Sequence, residues 1–552
     1  MIRNKKYFYI LAAGLFLVGT GCRKYLDVNK NLNSPTQVPV STLLVNAQLT
    51  IGSAMSLGTL SNGLSVYMHQ QSTRENPDQY GMKQNDGTIE GGWAGLYDAL
   101  KNLNVIINQG TAEGRFAYVG VAKILKAYSY SVLVDLWGDV PFSEFDQFKA
   151  GITQPKFDDD AAIYPQLFAM IDEAIADINN PAVNPSKPTT DDVMYSGNMG
   201  RWIKAANTLK LKLYTQLRKV QNVTPQVTAL LAAPATLINA TNESFLLPFG
   251  PLGATDDRHP GYGTYVASQK SQHVSPWMYE IMKGKNPNIN TGINDPRVPY
   301  YIYNQATPAA AAALTNTEYR DGGFISLYFG STGPQRNGSQ QQTISVFGIY
   351  PVGGRYDDGL GGHTQLATKT GTGAAPQRLI TYADRLYLEA ELIQAGVIPG
   401  NARAVLDAAI LESFKQVDYV ITTYVKPSQT VPLVFPSADA YKNAVLVLFD
   451  AGNAEKKMEY IMTQKWLSNI GNSVDQYTDY RRTGYPVLFD PNNPAMAPGG
   501  FVVPPPPNPP VPVQRSNPFP ISLFYPQSEL ELNSNAPDQK GDLSTAKIFW
   551  MP

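Results

Sequence analysis

Apolar residues recur at helical spacing through two long stretches of this 552-residue chain. Leu43, Leu44, Ala47, Ile51, Ala54 and Met55 fall on one face and predict a first helix. Trp93, Leu96, Tyr97, Leu100, Asn104 and Ile107 predict a second, and Val121, Ile124, Leu125, Tyr128 and Val132 a third. The segment 91–134 therefore reads as two antiparallel helices joined by a short turn near Gly110 and Gly114. Ile163, Leu167, Met170, Ile171, Ala174 and Ile178 make a fourth helix, and Trp202, Ala206, Leu209, Leu213 and Leu217 a fifth. From 221 to 376 the periodicity stops, and Gly, Pro, Asn, Gln and Tyr alternate with short strand-prone runs such as Phe324 to Phe329. That stretch is too long for one structureless loop in a compact body, so it is expected to hold small hairpins and binding loops. Helical spacing returns with Leu379, Tyr382, Ala383, Leu386, Ala390 and Ile393, closed by Gly396 as a C-cap. Ala402, Val405, Leu406 and Ala409 continue it, as do Met458, Ile461, Met462, Trp466 and Ile470. Pro504 to Pro507, with Pro509, Pro510 and Pro512, must be extended. The expected organisation is one body over 41–552. It has a helical scaffold at 41–220 and 377–480, a loop-rich ligand and partner region at 221–376, and a Pro-rich C-terminal wrap at 481–552.

The N-terminus follows another logic. Arg3, Lys5 and Lys6 precede an apolar run from Tyr7 to Val18, too short to span a bilayer as a helix. Gly19-Thr20-Gly21-Cys22 then sets small residues before the only cysteine in the chain. This resembles a bacterial lipobox, with 1–21 a signal peptide, Cys22 the lipidated residue and 22–40 a tether. Gly19 stands where lipoboxes favour Leu. Asn29, Asn31, Asn33, Ser34, Pro35 and Pro39 forbid regular structure in the tether. No other segment reaches 18 consecutive apolar residues, so the remainder is expected outside the bilayer.

Composition narrows the function. A formal net charge of −1 gives no reason to expect nucleic acid as a partner. Tyr is abundant, at 32 against 21 Phe, and its flat apolar ring with a hydroxyl suits a surface that binds polar, flat-faced ligands. The four histidines, His69, His259, His273 and His363, lack zinc-ligand spacing, and neither G-x-S-x-G nor a phosphate-cradling loop is present. Asp158-Asp159-Asp160 is the densest acidic cluster; its position before the fourth helix favours a capping role over paired-carboxylate hydrolysis. Asp357 and Asp358 are the candidates for a structural calcium, without a loop motif to support it; no other cofactor is expected. Arg481 and Arg482 read as a buried ion pair that orders the C-terminus, and Trp93, Trp137 and Trp202 read as core.

An ordered set of motifs runs through nearly the whole chain: Trp93 and Tyr97; Asp135-Leu136-Trp137-Gly138-Asp139-Val140-Pro141-Phe142; Tyr195 to Trp202; Asn294-Asp295-Pro296-Arg297; Thr381-Tyr382-Ala383-Asp384; Arg481 to Pro486; Tyr525-Pro526; and Phe549-Trp550. In this order they resemble the SusD/RagB-like outer-membrane lipoproteins. The resemblance implies a mainly α fold of tetratricopeptide-like helix pairs with a loop-rich, short-strand elaboration. It implies a non-catalytic nutrient-binding lipoprotein on the cell-surface face of the outer membrane. Such a protein caps a SusC-like TonB-dependent transporter and captures oligosaccharides or, in some members, peptides. Arg23-Lys24 after Cys22, and Asp384 in place of the usual Glu, depart from the pattern. The alternative is a surface-anchored glycan hydrolase using paired carboxylates.

Sugars stack C–H faces on aromatic rings and pair hydroxyls with Asn, Gln, Arg and Asp. Two regions carry that mixture without helical spacing. One runs from Tyr67 to Asn85 and includes Gln70, Gln71, Arg74, Asn76, Asp78, Gln79 and Tyr80; the other contains Asp257, Arg258, Tyr262, Tyr265, Trp277, Tyr328 and Arg336. Arg74, Asn76, Gln79, Tyr80, Tyr262, Trp277 and Tyr328 are the candidate ligand residues.

Overall fold

The stripe ending at Met55 lies on α1 (Val40–Met55), followed by the short α2 (Leu60–Tyr67). In the computed structural model the described residues are 38–552, except 75–76, 181–185, 268–269, 337–341, 363, 432, 434, 492–501, 504, 507 and 509–513. The signal peptide, Cys22, most of the tether, Asn76 and most of the Pro504–Pro512 run lie outside them.

The predicted helix pair is present as α3 (Gly87–Ala112) and α4 (Phe116–Trp137). Asp86 caps α3 by accepting a hydrogen bond from the Thr88 N–H, and Gly114, at φ 70°, supplies the left-handed residue of the turn. The fourth and fifth stripes form α5 (Asp160–Ile178) and α6 (Met199–Leu217). Successive helices pack side by side: α1 on α3, α3 on α4, α4 on α5 and α5 on α6. Gly120 permits the close approach of α4 and α5, because a Cβ there would lie 2.6 Å from the Ala174 carbonyl. With neighbours on several sides, α4 is buried almost all round, which explains why its apolar residues spread beyond a single stripe. Residues 40–67 are apolar enough to cross a membrane by composition, but the inner face of α1 lies in the core against α3.

The second helical block comprises α7 (Tyr382–Gln394), α8 (Ala402–Val420), α9 (Phe435–Ala451), α10 (Ala454–Ser468) and α11 (Ser473–Thr483). A capping box starts α7: Thr381 Oγ1 accepts from the Asp384 N–H, and the Asp384 carboxylate accepts from the Thr381 N–H at 2.8 Å. The fold is mainly helical, built on tetratricopeptide-like pairs with few short strands.

Those strands form two-stranded antiparallel ladders, two of which tie the loop-rich centre to the scaffold. The strands are β1 (Gln71–Thr73), β2 (Val140–Pro141), β3 (Phe157–Asp158), β4 (Phe245–Leu247), β5 (Gln272–Val274), β6 (Ile302–Asn304), β7 (Tyr319–Asp321), β8 (Phe324–Ser326), β9 (Ser345–Phe347) and β10 (Gln377–Ile380). The pairs are β1–β5, β2–β3, β4–β10, β6–β9 and the hairpin β7–β8. The strand-prone run at 324–329 thus supplies β8.

The C-terminal residues wrap across α4 and α11. The Leu523 N–H donates to the Leu136 carbonyl (2.8 Å), and the Trp137 indole N–H donates to the Phe524 carbonyl (2.8 Å). The Trp550 indole N–H donates to Asp135 at 2.9 Å. The two arginines divide the role expected of them. Arg482 is fully buried against Glu391 and Asp479. Among the described residues Arg481 makes no such pair; it donates to the Ile521 carbonyl (3.0 Å) and stacks over Tyr477 and Trp550. The ion pair orders the scaffold, and Arg481 holds the wrap through the Ile521 carbonyl and the Trp550 ring. Trp93, Trp137 and Trp202 are core residues, as their spacing predicts.

Candidate functional site

The β1–β5 ladder brings the two candidate regions together. Gln71 pairs with Val274, Ser72 with His273 and Thr73 with Gln272, so segments about two hundred residues apart in sequence share one edge. The next ladder locks onto it: Ser72 Oγ donates to the Leu327 carbonyl and Ser326 Oγ to the Val274 carbonyl. Asp78 accepts from the Gly330 N–H at 2.8 Å and pairs with Arg336. The Gln79 carbonyl accepts from the Asn517 N–H, so the C-terminal wrap also pins this loop.

Within that frame the candidates separate. Tyr80 is 9% exposed, and its hydroxyl lies 2.8 Å from His69 Nε2 while its ring packs against Tyr67, Phe329 and Phe519. Trp277 and Tyr328 are each 1% exposed. Trp277 sits in a short helix, Pro276–Met282, whose residues are all buried. These three rings pack in the core, with little or none of their surface exposed. Gln79 is half-buried in a left-handed conformation at φ 62° and serves the loop turn.

Arg74 and Tyr262, like Gln79, are half-buried. Arg74 donates to the Lys270 carbonyl at 3.4 Å. Tyr262 stacks on Tyr265 with ring centroids 5.1 Å apart and planes 13° apart, and the Arg258 guanidinium lies 5.3 Å from the Tyr262 ring centre. Arg355 lies over Tyr303 at 5.8 Å, and its N–H bonds the Tyr265 hydroxyl at 3.0 Å. Gly354 and Gly371 let these groups close up: a Cβ at Gly354 would lie 2.2 Å from the Tyr265 hydroxyl, and one at Gly371 would meet Arg355 and Tyr262. Burial, then the nearby Arg355 charge, lowers the Lys270 pKa. The result is a face on which the Tyr262 and Tyr265 rings lie among Arg74, Arg258 and Arg355, with Lys270 buried beside it. Beneath it lies a cavity of about 20 Å³, lined by Asn62, Gln71, Tyr265 and Gln272, with room for about one water. Gln272 Oε1 is buried there with no hydrogen-bond partner among the described residues.

Arg355, Lys270 and Gln272 were not singled out from sequence. The Gly-rich run 353–373 around Arg355 is the signal that could have found the first. Burial lowers the His69 and His259 pKa values to about 3 and that of His273 to about 4, so all three are neutral at neutral pH and the face's positive charge comes from its arginines.

The acidic groups considered for hydrolysis or calcium have structural work. Asp158 accepts from the Phe142 and Ser143 N–H groups, Asp159 caps α5, and Asp160 accepts from the Phe549 N–H. Asp357 accepts from the Asn304 and Gly359 N–H groups, and Asp358 from the Leu360 N–H and the Thr364 hydroxyl.

Comparison with known proteins places this geometry. A SusD-like family model, described as starch-binding associating with outer membrane, matches residues 32–504. No curated protein sequence matches the chain. Similar solved structures include a chitin-binding protein at 22% identity and TM-score 0.66, covering 93% of this chain and all of that one. A SusD/RagB family protein from Bacteroides thetaiotaomicron has 18% identity and TM-score 0.67, covering 93% and 99%. A chitin-binding SusD homolog from Flavobacterium johnsoniae has 19% identity and TM-score 0.63, covering 93% and 98%. At these identities the likeness establishes the fold.

Proposed function

The chain belongs to the SusD-like family of outer-membrane nutrient-binding proteins, and from that premise we propose that it captures an oligosaccharide at the cell surface without catalysis and passes it to a SusC-like TonB-dependent transporter. The observation that carries the reading is the face built by the β1–β5 ladder, where Tyr262 and Tyr265 lie among Arg74, Arg258 and Arg355. Rings supply stacking area and guanidiniums supply fixed forks of donors for sugar hydroxyls. N-acetylglucosamine oligomers are the first ligands to test, because two structural neighbours are described as chitin-binding.

Lipid on Cys22 would hold the protein at the membrane. Two or three acyl chains, at about 0.8 kcal/mol per buried methylene, make such an anchor effectively permanent. A tether of about 18 residues reaches at most roughly 60 Å, enough for the body to swing over a transporter without leaving it.

Affinity electrophoresis through gels carrying candidate polysaccharides, with reducing-end assays on the same samples, tests the reading. Retardation without new reducing ends supports it. New reducing ends would favour the hydrolase alternative, and the structural roles of Asp158, Asp159 and Asp160 count against that outcome.

A further inference from the structure

A larger cleft lies apart from the face just described. It has a volume of about 370 Å³ and is bounded by α3, the 141–155 loop and the short helix Gln527–Leu532. Its floor is a row of packed rings: Trp93 on Tyr97 at 4.9 Å, then Tyr97 on Phe145 at 4.8 Å. The Tyr97 hydroxyl donates to the Pro141 carbonyl, and Asn533 donates to the Pro155 carbonyl, so both walls are fixed. At the mouth stand two apolar side chains the fold leaves in water, Phe148 at 57% and Leu532 at 77% exposure. Surface hydrophobes scattered singly need no explanation, but two that line one apolar-floored cleft mark a contact surface.

The charge around the cleft is one-sided. Asp98, Glu144, Asp146 and Glu529 line it, against Lys101 as the only basic lining residue among the described residues. Lys101 is paired with Asp98 at 3.0 Å. Among the described residues, no Lys or Arg forms an ion pair with Glu144, Asp146 or Glu529. Glu144 and Asp146 accept from the Lys156 N–H and the Asn104 amide, and Glu529 accepts from Asn533, so the three carboxylates are held in place. Fixed anions around apolar walls complement a ligand that carries cations beside apolar groups. A neutral glycan supplies no cation, and a fatty ligand would meet the carboxylates.

We propose that this cleft is a second ligand site, for short peptides bearing basic and apolar side chains. Apolar side chains lie between Phe148, Ile152 and Leu532, while Lys or Arg groups reach Glu144, Asp146 and Glu529. The site is independent of the tyrosine–arginine face, and each can fail without the other.

The test is calorimetric titration of the full mature chain with acetyl-Lys-Phe-Leu-Lys-amide. Saturable binding is expected, weakened at least about tenfold, or roughly 1.4 kcal/mol, in the Phe148→Ser/Leu532→Ser variant, which replaces two exposed side chains and should keep the parent's circular dichroism spectrum. The same loss is expected for acetyl-Glu-Phe-Leu-Glu-amide on the unaltered chain, and raising salt to about 0.5 M should weaken the basic peptide because exposed charges are then screened. Tyr262→Ala should leave peptide affinity unchanged. Absence of binding at millimolar peptide, equal affinity for the acidic peptide, unchanged affinity in the double variant, or displacement of the peptide by a neutral oligosaccharide would each overturn the proposal.

Discussion

Replacing Glu391 by Gln should destabilise the protein more than replacing its partner Arg482 by Met, although the two side chains belong to one buried contact. Glu391 and Arg482 are both fully buried. Glu391 also accepts from Arg218 at 2.7 Å, and Arg482 also pairs with Asp479, which in turn pairs with Lys465. The cluster holds three cations and two carboxylates, a net charge of +1. Glu391→Gln raises that to +2 and leaves Arg218 and Arg482 without their shared anion. Arg482→Met takes it to zero and leaves each carboxylate a cation. Stranding a buried charge costs about 3–5 kcal/mol, whereas losing hydrogen bonds to a charged group costs about 1.5–3 kcal/mol. With an unfolding entropy of about 2.1 cal/mol/K per residue, ~530 mature residues give about 1.1 kcal/mol/K, so the Gln variant should melt roughly 4 °C lower and the Met variant roughly 2 °C lower. Differential scanning calorimetry at pH 7 reads this directly. Equal losses, or a larger loss for Arg482→Met, would refute the charge accounting.

The same carboxylate sets a pH dependence. Burial acts to raise the Glu391 pKa, but Arg482 and Arg218 outweigh it and hold the carboxyl well below the usual range. A depressed folded pKa stabilises fully above the unfolded value of about 4.3 and loses that contribution as pH falls toward the folded one. The gap between the parent and Glu391→Gln should therefore narrow below about pH 4.3.

Four further outcomes follow. Glu280 is raised to about 7, chiefly by burial, so its contribution is full below the unfolded value and is lost as pH rises through 7. Glu280→Gln should accordingly flatten the stability profile between about pH 4.3 and 7 in denaturant titrations. Trp550→Ala deletes a fully buried ring and its bond to Asp135, and should cost about 3–5 kcal/mol with loosening of the C-terminal wrap in hydrogen exchange. Tyr80→Ala should likewise lower the melting temperature, because that ring is core. Cys22→Ser should move the protein from the membrane to the soluble fraction; retention in membranes would remove the anchor.

Much of the scaffold was legible because helices that bury one apolar stripe write their period into the sequence. The pair α3–α4 and its turn near Gly114 is the clearest case. Helix α11 was not legible: its buried residues include Asp475, Gln476, Asp479, Arg481 and Arg482, so its inner face is charged and shows no apolar stripe. Helix α9 was missed as well; Val447 is exposed on it and Pro436 stands in its first turn, blurring the period. At the site, the two regions were located, but burial within them was not. Tyr80, Trp277 and Tyr328 sit in non-periodic sequence like Tyr262, and only the long-range ladder β1–β5 and its neighbours decide which rings go inside. Local composition carries no record of such pairings. Lys270 is illegible for the same reason, whereas Arg355 lies in the Gly-rich run 353–373.

Calorimetric titration of the mature chain and of its Arg258→Ala/Tyr262→Ala variant against a panel of oligosaccharides, N-acetylglucosamine oligomers first, tests the central claim most directly. The account predicts saturable binding of at least one oligosaccharide to the parent, and at least about tenfold weaker binding, or roughly 1.4 kcal/mol, to a variant with an unchanged circular dichroism spectrum. Absence of binding across the panel would contradict oligosaccharide capture, and equal affinity in the variant would contradict the assignment of the tyrosine–arginine face.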